Sequence, residues 1–198
     1  MNNKTLGRLI HLFSKFPGLG ERTAKRIVLH LIQNKELLLG QLVHALTNAN
    51  NLLKECSICK NIDELDKCGI CSDPKRDHKI ICIVESIIDL WTIEEANFYK
   101  GLYHILNSTF TSPHAKNIHP ININSLIERI EKQDIKEIII ATNATLDGQT
   151  TAFSITERLR PYSSIRITRF AHGIPIGGEL KYLDEVTLST AFNSRQNF

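Results

Sequence analysis

Cys56, Cys59, Cys68 and Cys71 form two Cys-x-x-Cys pairs separated by eight residues. Four thiolates with that pairing suit one tetrahedral zinc ion, because each pair can present both sulfurs to the same metal. No fifth ligand or open coordination position is implied, so the site reads as structural rather than catalytic. Two disulfides or unligated thiols are the alternatives. Residues 56–78 are too few to build a core of their own, so the metal should supply their folding energy. Cys82, the fifth cysteine, sits inside the apolar run IICIV and reads as a buried thiol.

A second constellation is FPGLGERTAKRI, residues 16–27. It resembles a helix-hairpin-helix DNA-binding motif, and the physics supports that reading. Gly18 and Gly20 allow close backbone approach, and the following helix presents unpaired N–H groups and its positive dipole end to an anion. Phosphate is the natural ligand. Arg22, Lys25 and Arg26 lie off the apolar stripe and can meet the same backbone, which implies sequence-independent binding. An ordinary αα-hairpin with a solvated basic face is the alternative.

The third constellation is acidic. Glu85 follows the run IICIV, Asp89 comes four residues later on the same helical face, and Asp147 follows EIIIAT. This placing resembles the Toprim domain, whose carboxylates gather near strand ends and hold Mg²⁺ for nicking or joining DNA. Here Gln149 stands where a further carboxylate is expected. Two carboxylates hold Mg²⁺ only with help from substrate phosphates. A Mg²⁺-dependent nuclease or topoisomerase-like enzyme using Glu85 and Asp147 is therefore one reading. The other is a scaffold or protein-binding surface, and the four tyrosines (Tyr99, Tyr103, Tyr162, Tyr182) carry no motif for a nucleophile.

Elements must position these groups. Leu6, Leu9, Ile10 and Phe13 share one helical stripe, Pro17, Gly18 and Gly20 break it, and Ala24, Ile27, Val28 and Leu31 repeat the same spacing. A third helix over about 36–54 carries a heptad seam of Leu39, Leu42, Leu46, Ala49 and Leu53, either a cover for the intramolecular core or a subunit contact. SDPKRDHK reads as a linker. Strands then alternate with helices: 80–84, helix 87–98, strand 102–106, helix 124–132, strand 137–142, helix 151–160 and strand 164–169. That alternation predicts a parallel sheet with both faces covered, and ligands at the carboxyl ends of its strands. Glu85 and the loop 143–149 are placed there. The fold class is thus α/β. We divide the chain into a helix-hairpin-helix domain (1–55), a cysteine element and linker (56–78), a Toprim domain (79–174) and a C-terminal segment (175–198).

Charge sharpens the division. The 198 residues carry a formal net charge of only +3, yet residues 1–55 hold +5 while 56–78 and 79–198 hold −1 each. With 42% hydrophobic and 23% charged residues the chain can bury a core, which excludes disorder. No apolar run reaches the ~18–20 residues of a membrane span, and the amino terminus lacks a signal peptide's pattern. A cytoplasmic protein is expected, and there metal ligation is favoured over disulfides.

The order of hairpin, four-cysteine element and Toprim domain resembles the RecR family of bacterial recombination mediators along essentially the full length. The residues that carry it are FPGLGERTAKRIVLHL, the CSIC and CGIC pairs, ICIVES with Asp89, GLYHIL, ATNATLDGQTTA and RFAHGIPIGGEL. The resemblance implies a protein with no catalysis of its own, forming dimers and ring-like tetramers that encircle or clamp DNA. With RecO, and in many bacteria RecF, such proteins help load RecA at single-strand gaps. By position it implies zinc on the four cysteines, DNA contact by Arg22 and Arg26, and RecO engagement by the surface of Glu85 and Asp89. It also implies that the seam 39–53 pairs amino-terminal domains. Three features depart from the family pattern: Ala144 where proline is common, Gln149 where an acid is common, and TSPHAKNIH (111–119) in place of LSPLDGxGP.

Overall fold

The structure is a computed structural model that describes residues 3–107, 122–171 and 173–195. The chain divides into two compact units, Met1–Leu53 and Lys54–Phe198. Among the described residues no helix is long and apolar enough to cross a membrane.

The first unit is helical. Helix α1 (Lys4–Phe13) is capped by the Asn3 side chain, α2 (Glu21–Gln33) follows the Pro/Gly hairpin, and a π-helical turn (Lys35–Leu39) leads into α3 (Gly40–Leu52). The expected stripes form the core: Ile10, Ala24 and Val28 are buried, with Leu6, Leu9 and Phe13 packed on them. The seam behaves differently. Helix α3 contributes no buried residue, and Leu46 is 60% exposed. The seam is thus only partly covered within this chain: Leu39, Leu42 and Ala49 are half-buried, while Leu46 and Leu53 are exposed.

The second unit begins with a small antiparallel pair, β1 (Lys54–Glu55) and β2 (Ile62–Asp63), and a single-turn helix α4 (Gly69–Ser72). Then follow β3 (Asp77–Val84), α5 (Ile87–Glu95), β4 (Gly101–Ile105), α6 (Ile123–Lys132), β5 (Glu137–Ala141), α7 (Leu146–Leu159) and β6 (Arg166–Arg169). A 3₁₀ turn (Leu180–Tyr182) and α8 (Glu185–Asn193), capped by Asp184, close the described chain. The four long strands form one parallel sheet in the order β4-β3-β5-β6. Alternation along β3 sends Ile81 and Ile83 to a core with α6 and α7, and Cys82 and Val84 to a core with Leu90 of α5. Both faces are covered, as the apolar runs required. Cys82 is 1% exposed, and burial pushes its thiol up to about 12.

Two assignments change. The polar stretch 72–79 is not a linker, because β3 already starts at Asp77 and Arg76 folds inward. Its guanidinium grips both oxygens of Glu94, and Nη1 donates to the Gly101 carbonyl at 3.1 Å. The Tyr103 hydroxyl donates to the same Glu94 at 2.7 Å. Secondly, α7 starts at Leu146 rather than near 151, because Thr145 caps it. The loop expected at 143–149 is thereby cut to three residues before the cap. The divergent stretch 111–119 lies outside the described residues.

Candidate metal centre and nucleic-acid interface

The cysteine element is organised around its sulfurs. The four cysteines are at most 1% exposed and form their own buried cluster, with the partly buried Ile58 and Ile70 packed against it. Their Sγ atoms all lie within 4.8 Å of one another, and those of Cys59 and Cys68 are 3.5 Å apart. Zinc–sulfur bonds of ~2.3 Å would set tetrahedral sulfurs roughly 3.8 Å apart, so the set can close on one ion with small adjustment. None of the cysteines is in a disulfide. Backbone N–H groups already point at the sulfurs: Asn61 N to Cys59 Sγ at 3.5 Å, Cys68 N to Cys56 Sγ at 3.3 Å and Cys71 N to Cys68 Sγ at 3.5 Å. Lys60, with φ of 70°, makes the left-handed step that turns the first loop back. The Cys68 thiol is pulled well below the usual thiol range, first by its bond with Cys59 and then by that with Cys71, while Cys59 is held up by the same bond. Such a crowd of soft ligands can hold a metal ion.

The hairpin between α1 and α2 is a tight turn. Leu19 N bonds back to Phe16 O at 3.1 Å, with Pro17 and Gly18 at its centre. Gly18 has φ of 77°, which is the value a type II turn demands at its third residue and the reason glycine stands there. Gly20 is the N-cap of α2 and offers no side-chain oxygen, so the first N–H groups of the helix have no side-chain cap. Neither glycine has an atom within 4 Å of where a Cβ would sit, so an approaching backbone meets open space. Arg22, Lys25 and Arg26 are all exposed. Lys25 lies 4.0 Å from Glu21, whereas Arg22 and Arg26 enter no ion pair among the described residues.

At the carboxyl ends of the strands the acids are spent on structure. Glu85, at the end of β3, accepts from the Asn143 backbone N–H at 2.8 Å and from its side-chain amide. This clasp joins β3 to β5 where the crossovers diverge to opposite sides, the position at which doubly wound sheets bind ligands. Asp89 is not on a helical face shared with Glu85. Ser86 is the N-cap of α5, and Asp89 folds back as the third residue of a capping box, accepting from Ser86 N at 2.9 Å and Ser86 Oγ at 2.7 Å. Asp147 is exposed in the first turn of α7, where its charge suits the helix dipole. Among the described residues the four cysteines are the one group of three or more metal-ligand side chains that converges, so Glu85, Asp89 and Asp147 do not.

Asn143 and Gly148 were the residues missed. A Cβ at Gly148 would lie 2.1 Å from Asn143 O and 2.8 Å from Glu85 Oε1, so glycine is what lets α7 reach the clasp. Gly148→Ala is expected to cost about 1–3 kcal/mol of stability, read from urea unfolding. An unchanged midpoint would mean that the helix yields freely.

Residues 6–50 match the family model "RecR, helix-hairpin-helix", residues 79–171 that of the Toprim domain, and residues 173–196 "RecR, C-terminal". A protein named Recombination protein RecR from Rickettsia bellii is 48% identical over 197 residues, covering 100% of this chain and 98% of its own. Its namesake from Beijerinckia indica is 49% identical over 191 residues, covering 96% and 94%. The chain belongs to the RecR family. In this RecR-family member the hairpin match spans α1, α2 and most of α3, and the Toprim match runs from within β3 to just past β6. The segment with α8 falls in the RecR carboxyl-terminal match. The four cysteines lie between the first two matches, in a stretch where the chemistry of the side chains alone makes the case.

Proposed function

We propose that the protein is a DNA-binding recombinational repair protein, a non-catalytic clamp that grips DNA without regard to sequence and acts with RecO and RecF to promote RecA loading at gaps. The observation that carries this is the α1–α2 hairpin: an open helix N-terminus, a glycine turn with clear space above it, and two arginines with no acidic partner among the described residues. Phosphate oxygens satisfy the N–H groups and the guanidiniums together. The relatives' name, Recombination protein RecR, supports the pathway. Gly18, Gly20, Arg22, Lys25 and Arg26 form the DNA contact in this reading.

The cysteine cluster holds one structural zinc ion, since four buried thiolates with no further ligand suit that metal and leave it no open position. Glu85, Asp89 and Asp147 form a partner-binding surface for RecO at the strand ends. A second copy of the chain covers the π-helical turn and α3, whose Leu37, Val43, Leu46 and Leu52 are each at least half exposed, making a dimer or ring-like tetramer. The protein works in the cytoplasm, at the nucleoid.

The acids favour the scaffold over the Mg²⁺-dependent enzyme, because Glu85 is committed to Asn143 and Asp89 to Ser86. Supercoiled plasmid incubated with the protein and Mg²⁺ is expected to be retarded on a gel and, after protein removal, to show unchanged topology. Nicked or relaxed plasmid would replace this reading with the catalytic one.

A further inference from the structure

Strand β4 is an edge of the sheet, and its outer side is closed residue by residue. Leu106 N bonds to Val84 O, so even-numbered residues face β3 and Gly101, Tyr103 and Ile105 turn their backbone groups outward. Each outward residue is met. Arg76 Nη1 donates to Gly101 O at 3.1 Å, Arg129 Nη1 to Tyr103 O at 2.6 Å, and Ile105 N to Cys59 O at 3.0 Å. The cysteine element thus continues a row begun by two guanidiniums, and an edge so covered cannot template another strand.

The two arginines differ in one respect. Arg76 has Glu94 as its counter-ion. Arg129 is 5% exposed and has no carboxylate partner among the described residues. Its Nε donates to Gln133 Oε1 at 3.2 Å, and its Nη2 is buried without a hydrogen-bond partner among the described residues. An uncompensated buried charge is too costly to leave so, and an anion must lie within its field. Tyr103, which holds Arg129, and Ile105, which holds Cys59, are two residues apart on one edge, ~6.6 Å along the strand. Burial pushes the Arg129 pKa down, and the charges that oppose this belong first to Cys71, Cys59 and Cys56 and then to Tyr99. The neighbouring buried His104 supplies no second cation, since burial holds it at about 4.

We propose that Arg129 is the buried counter-cation of the metal–tetrathiolate cluster, a positioning residue on α6 that retains the metal and fastens the cysteine element to the sheet edge. Four thiolates around a divalent ion carry a net charge of −2, and one guanidinium beside them halves it. The inference rests on the reading of the cysteines as a metal site. With the metal gone, Arg129 loses its anion and becomes a burden on the fold.

Zinc content, zinc release to a chromogenic chelator and urea unfolding of zinc-loaded and chelated protein test this in the wild type and in Arg129→Met. Release from R129M is expected to be about 10-fold faster or more. The chelated variant should be no less stable than the chelated wild type. Wild-type release, or equal destabilisation of both forms, would leave only a hydrogen bond to Tyr103 and overturn the proposal. Should R129M not fold, Arg129→Lys and Arg129→Gln decide it: slow release from R129K and fast release from R129Q are expected, and equal rates refute the charge argument. A wild-type protein without zinc would refute the metal reading itself, a separate outcome.

Discussion

Cys68→Ser is expected to reduce bound zinc from one per chain to none and to unfold residues 56–71. Cys68 sits at the centre of the cluster: its sulfur is 3.5 Å from that of Cys59, accepts from Cys71 N, and its own N–H donates to Cys56 Sγ. A serine hydroxyl is a poor ligand for a metal chosen by thiolates. The consequence is large because the sulfurs are the core of this element, and metal binding there is worth on the order of 10–16 kcal/mol. Loss should spread to what the loop holds. Ile105 N loses the Cys59 carbonyl, and Trp91 Nε1 loses Asn61 Oδ1, 3.3 Å away. Metal analysis and limited proteolysis check this, with cleavage inside 56–71 appearing while the sheet keeps its circular dichroism. A C68S protein with full zinc and a protected loop would rule out the metal-dependent fold.

Replacing Arg22 and Arg26 together by glutamine should weaken DNA binding by about 10- to 100-fold near physiological salt, equally for unrelated sequences. Both side chains stand on α2 just beyond its open N-terminus, and neither has an acidic partner among the described residues to relinquish. Lys25→Gln should cost less than either arginine, because Glu21 at 4.0 Å already offsets part of that charge. Stability should hardly move, since all three side chains are exposed while the stripe of Ala24 and Val28 carries the packing. Fluorescence anisotropy with two unrelated duplexes measures the loss. A variant that discriminates between them would point to base contacts that the hairpin does not suggest.

Much of this was legible in the sequence, for identifiable reasons. The stripes of α1 and α2 follow from helical periodicity, and the strands 80–84 and 137–142 from continuous apolar runs that only a doubly covered sheet accepts. The four cysteines were readable because ligand spacing is itself the geometry. What the sequence hid was polar and long-range. The pairing of Arg76 with Glu94 made a strand entrance out of what looked like a linker, and no local pattern marks two residues eighteen apart as partners. Asp89 was misplaced because Ser86 takes it into a capping box, although the Ser-x-x-Asp spacing was there to be read. Thr145 and Gly148 began α7 early for a like reason: a cap and a close approach outweighed a stretch that resembled a loop. The seam on α3 showed its period in the sequence, and only the fold showed that it is half-buried at Leu39, Leu42 and Ala49 and exposed at Leu46 and Leu53.

The central claim is that the amino-terminal hairpin grips phosphates, and the salt dependence of DNA affinity tests it most directly. Binding constants for wild type and the Arg22→Gln, Arg26→Gln double variant, measured across a range of salt concentrations, give two slopes of log K against log salt. Each phosphate contact removed lowers the slope by about 0.9 for duplex DNA. The account requires the double variant to be shallower by about 1.8, with its charge lost from the +5 segment. Two parallel lines would contradict it and place the DNA contact elsewhere in the molecule.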